Sequence, residues 1–198
     1  MKSQMRFQKI LMTVTLVIAA LSIVYALIFC SGIINQIGGI NQELFELTGD
    51  NSAYLVYKRS QGFSDTFLIL GVVLVLTVVL MLIMGCQSRR KYYITNYVAI
   101  GIFVAFALVF SILLVVNIIS VQSALNKVDM AAAKEIYEGA TSLFGGWDES
   151  TWMLTLGYVY MAILLVDVVV VVLNLVWKIK LMQGEKALLQ SSVAEEVA

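Results

Sequence analysis

The sequence predicts an all-α integral membrane protein: an antiparallel bundle of four transmembrane helices with an extracytoplasmic helical excursion between the third and fourth. Three observations carry this. Hydrophobic residues fill 61% of the 198 positions and charged residues only 13%, against about 25% charged in ordinary soluble domains. Four apolar stretches are each long enough to cross about 30 Å of hydrocarbon. Lysines and arginines alternate in density between successive connections, as the positive-inside rule requires. All 198 residues are read as one membrane domain.

Residues 1–9 are short and basic, with Lys2, Arg6 and Lys9. The first span covers about 10–30. A secretory signal has a similar start, but its apolar core is usually about 7–15 residues long and ends in a small-x-small site. This run is longer and ends in LIFCSG, so it reads as a retained helix. Residues 31–65 form an outer polar loop, with a short helix ending near Leu47 and an extended stretch around Tyr54 to Tyr57. The second span is 66–85. Its β-branched residues would suit a buried strand, but twenty without a turn signal favour a membrane helix.

A tight basic link, CQSRRKYYIT, leads into the third span at 96–119. Arg89, Arg90 and Lys91, beside Tyr92 and Tyr93, are expected among anionic headgroups. Gly101 and Ala105 form a small-xxx-small pair, expected to mark close helix packing. The outer loop 120–152 is helix-prone up to about Phe144, either extending the third span or lying along the membrane surface. Trp147 and Trp152 mark the return to the interface. The fourth span is 153–177, and the tail 178–198 reads as a short amphipathic piece with a frayed end.

Basic residues cluster in the N-terminal segment, the middle link and the tail (Lys178, Lys180, Lys186). The two outer loops hold fewer, and there acids outnumber them, from Glu43 and Glu46 to Asp148 and Glu149. Both termini are therefore expected in the cytoplasm of a plasma membrane of bacterial type. In that topology Cys30 and Cys86 lie on opposite faces, too far apart for a disulfide. Cys86 reads as a buried thiol or a juxtamembrane acylation site. The outer acids show no spacing of a calcium loop and read as solvated charge.

The fourth span carries one acid near its middle, Asp167. A carboxylate at that depth costs about 2.5–3.5 kcal/mol on insertion scales and turns away from lipid. Tyr160 and Asn174 lie one heptad before and after it, so all three share a seam on a supercoiled helix. Gln8, Thr15 and Ser22 repeat the same spacing on the first span. Antiparallel alignment brings Thr15 level with Asp167, Ser22 with Tyr160 and Gln8 with Asn174. Thr77 on the second span is the other candidate neighbour of Asp167.

Histidine is absent, which excludes imidazole-ligated haem, a histidine zinc site and Ser–His or Cys–His catalysis. No cofactor or metal is expected, and no basic run suggests nucleic acid. Acid–base residues are not gathered at one depth, so the chain is not expected to be an enzyme. The expected partners are the lipid bilayer and either another protein or further copies of this chain. The function expected is a non-catalytic subunit or scaffold of a membrane complex. The alternative is a small channel or transporter in which Asp167 binds a cation or relays protons, though no other span offers an acid to continue a proton path.

Overall fold

A computed structural model describes residues 2–85, 93–140 and 146–197, and every regular element among them is an α-helix. In chain order these are α1 (Lys2–Ile28), α2 (Ile33–Thr48), α3 (Ser52–Gly85), α4 (Tyr93–Leu125), α5 (Met130–Ala140) and α6 (Trp152–Val197). Four helices are long and apolar enough to cross a membrane. Helical backbone is what lipid demands, because each N–H and C=O must find a partner within its own segment. That requirement overrides the strand preference of the valine-rich runs in α3 and α6.

The long helices bury one narrow seam each and leave the rest outward. On α3 the buried positions Phe67, Leu74, Val78 and Met81 continue a three–four repeat that begins outside the apolar span at Ala53, Val56, Ser60 and Phe63. On α4 the corresponding set is Phe103, Ala107, Phe110, Leu114 and Ile118. This periodicity is that of helices packed at a shallow crossing angle. Outward positions are large and apolar: Ile69 and Ile112 are each 64% exposed, and Val166 63%. In water such continuous apolar surface would drive association; against acyl chains it is the proper coat.

The span-bearing helices make a ring in which α1 packs on α3, α3 on α4, α4 on α6, and α6 returns more sparsely to α1. Aromatic side chains fill its middle. Phe29 stacks on Phe63 with ring centroids 3.8 Å apart, and Phe63 on Phe67 at 4.4 Å. Phe67 meets Phe110 edge-on at 5.2 Å. Tyr25 and Tyr160 close the cluster from α1 and α6. Edge-on and offset pairs of this kind each add about 0.5–1.5 kcal/mol beyond burial.

At 34 residues, α3 spans about 51 Å, some 20 Å more than the hydrocarbon needs. This corrects the expectation of an extended stretch at Tyr54 to Tyr57, whereas the short helix expected up to about Leu47 is present as α2. Tyr54 to Tyr57 lie in the first turns of α3, since Ala53, Val56 and Ser60 have a buried face at helical spacing. The β-propensity of Tyr-Leu-Val-Tyr is overridden by packing. The separate amphipathic piece expected after 178 is also replaced: α6 runs without a break through Val197.

The turn between α2 and α3 is tight. Gly49 takes φ 67° and its N–H reaches Phe45 O at 2.8 Å, a C-cap conformation that favours glycine. One residue on, Asp50 Oδ1 accepts the N–H of Ser52 at 3.1 Å and opens α3. Asp129 Oδ1 opens α5 in the same way, accepting from Ala131 and Ala132. The helix of the third span continues past residue 119, as α4, to Leu125 before α5 begins.

Candidate functional site: the polar seam between α1 and α6

The three–four repeat of α1 carries Gln8, Thr15 and Ser22 into the interior, and that of α6 carries Tyr160, Asp167 and Asn174. All six are at most 5% exposed. Thr15 Oγ1 donates to Asp167 Oδ1 at 2.9 Å. One heptad away, Tyr160 donates its hydroxyl to Ile18 O at 3.1 Å. Ser22 Oγ donates to Ala19 O at 2.6 Å. At the other end, Lys178 Nζ donates to Gln8 Oε1 at 3.2 Å.

One detail adds to the sequence reading and one departs from it. Gln8 bonds Lys178, a residue the sequence places in the tail; Asn174 is buried one turn away on the same face of α6. Lys178 is only 7% exposed. Its position four residues beyond Asn174 was the available signal, masked by its place at the end of the apolar run. Thr77, the other candidate neighbour of Asp167, is half-buried on α3 and donates to Leu74 O of its own helix at 2.7 Å. Threonine satisfies itself this way in a helix, and α3 neighbours α1 and α4, whereas α6 packs between α4 and α1.

The close-packing assignment is corrected as well. Gly101 and Ala105 are exposed on α4, and a methyl group added at Gly101 would meet nothing within 4 Å. A small-xxx-small pair permits close approach but does not compel it. On α3, α4 and α6 the tight contacts fall at two other glycines. A Cβ at Gly157 would collide with the Tyr25 hydroxyl and Ile118 Cδ1, and one at Gly71 would lie 2.7 Å from Ser22 Oγ. Both sit on buried seams without a small partner four residues away, so pattern alone did not single them out. Arg89, Arg90, Lys91 and Cys86 lie outside the described residues.

Asp167 Oδ2 is buried with no hydrogen-bond partner among the described residues. The same aspartate lines a groove of about 440 Å³ between α1 and α6, with Leu11, Val14, Ile18, Ile163 and Val166 as its apolar walls. Cys30 is a free thiol whose S–H points to Ser60 O at 3.3 Å. Among the described residues no group of three acidic or sulfur side chains converges as a metal site would require. Chemically, the described residues of the seam offer one carboxyl, held by a neutral hydroxyl, with the Lys178 amine about three turns further along α6. It can pin two helices in register, or take up a proton or cation at one point.

Fold and seam together define an all-helical protein with four candidate membrane-spanning helices. No family model, curated protein or solved structure matches the chain.

Proposed function

We propose that this chain is a non-catalytic polytopic membrane protein acting as a subunit or scaffold of a membrane complex. Its spans run antiparallel, with both termini in the cytoplasm of a plasma membrane of bacterial type. Between α1 and α6, polar contacts pair rising with falling residue numbers, Gln8 with Lys178, Thr15 with Asp167 and Ile18 with Tyr160, which supports the antiparallel reading. The uneven distribution of lysine and arginine supports the orientation. On it, α2, α5 and the projecting ends of α3 and α4 form an extracytoplasmic cap.

The observation that carries the subunit reading is the aromatic cluster of Tyr25, Phe29, Phe63, Phe67, Phe110 and Tyr160 across the middle of the ring. An interior filled this way leaves the polar seam as a fastener between helices and directs activity to the outer surface, toward other proteins or further copies. Purification from membranes in mild detergent tests it. A stoichiometric co-purifying protein is the expected result; a pure, single species that conducts ions would refute it.

One observation favours a second reading, a small channel or transporter using Asp167: its unpartnered oxygen beside the α1–α6 groove. In liposomes containing the purified chain, this reading requires ion flux that Asp167→Asn abolishes.

A further inference from the structure

A second cavity, of about 400 Å³, lies outside the seam, between α2, α3 and α5. Its size falls in the lower part of the roughly 300–1,000 Å³ range of small-molecule sites. Its walls are unusual for this chain. Asn35, Tyr57 and Gln61 contribute polar groups, Gly38 and Gly39 give a flat floor, and Ile34 is the one aliphatic side chain. Among the described residues the lining holds no lysine, arginine, aspartate or glutamate.

Several of these polar groups are uncommitted. Gln61 Nε2 donates to the Tyr57 hydroxyl at 2.6 Å, which leaves the Gln61 carbonyl oxygen as an acceptor and the Tyr57 proton as a donor. Asn35 is exposed at the rim. The Tyr57 ring lies against α2 where Gly38 has no side chain; a Cβ there would sit 2.9 Å from Tyr57 Cδ2. Mixed donors and acceptors, an aromatic face and no charge are complementary to a neutral, hydroxyl-rich ring.

We propose that this cavity binds a neutral polyhydroxylated ligand of about one sugar ring, through Asn35, Tyr57 and Gln61. The ring can arrive as a free sugar or as the headgroup of a neutral glycolipid, since the hydroxyl chemistry is the same. The site shares no lining residue with the groove at the α1–α6 seam.

The test uses the full chain in phosphatidylcholine nanodiscs. Methyl glucoside and methyl galactoside are titrated with detection by saturation-transfer NMR, and monogalactosyl diacylglycerol retention is read by native mass spectrometry against plain diacylglycerol. Binding of a free glycoside identifies a soluble source, retention of the glycolipid alone a headgroup; either supports the site. Gln61→Leu should weaken the binding seen roughly tenfold, as loss of a ligand hydrogen bond does. Tyr57→Phe, which removes only the hydroxyl, should weaken it by a similar factor. The proposal is overturned if neither probe binds, or if binding survives both substitutions unchanged.

Discussion

At the scale of single residues, the seam turns on a hydroxyl and a carboxyl. Thr15→Val keeps the shape of the side chain and removes the donor to Asp167 Oδ1. Hydrogen bonds between membrane helices average about 0.6 kcal/mol and reach about 1.7, so a loss in that range is expected in reversible unfolding from mixed micelles. A stability unchanged by the substitution would mean that the pair does not hold α1 to α6. Glycine supplies a sharper contrast. At Gly157 a methyl group would run into Tyr25 and Ile118, whereas at Gly101 it would enter open space. Gly157→Ala should cost about 1–3 kcal/mol through overpacking, and Gly101→Ala should fall within about 0.5 kcal/mol of the native chain. Equal effects at the two sites would contradict the packing described. The choice between these glycines was illegible in the sequence, because it depends on which neighbour each one faces.

At the scale of elements, helix length and helix ends respond to different physics. The apolar stretches were legible because lipid imposes a long, uninterrupted greasy run. Helix extension beyond the lipid was not, since outside the hydrocarbon an amphipathic stretch can be a loop, a strand or a further helical turn. Here burial of Val56 and Phe63 decides for helix. The turn joining α2 to α3 then depends on Gly49 at φ 67°. Gly49→Ala places a Cβ in the left-handed region at a cost of about 1–2 kcal/mol. Amide hydrogen exchange should rise over residues 44–56 and stay unchanged in the spans. Uniform exchange throughout the chain would show that this turn is not the local weak point.

For the whole molecule, the ring of helices and its aromatic centre frame the proposal of a subunit or scaffold. Orientation is the first property to test. With the native cysteines replaced by serine, Asn51→Cys should react with an impermeant maleimide from outside intact cells, and Gln183→Cys only after the membrane is opened. Both positions are exposed. The reverse pattern would place the basic segments outside and overturn the proposed topology, while leaving the packing of the helices untouched.

Read by itself, the sequence determined the class of protein, the four candidate spans and the heptad spacing that turns Thr15 and Asp167 inward. Those follow from one-dimensional properties: run length, composition and period. Tertiary structure decided that Lys178 meets Gln8, that Thr77 turns back on its own helix, and that Gly157 and Gly71 are the crowded glycines of α6 and α3. It also placed the aromatic cluster and the polar cavity beside α2. Each depends on which face of one helix meets which face of another, and period alone names a face without naming its neighbour.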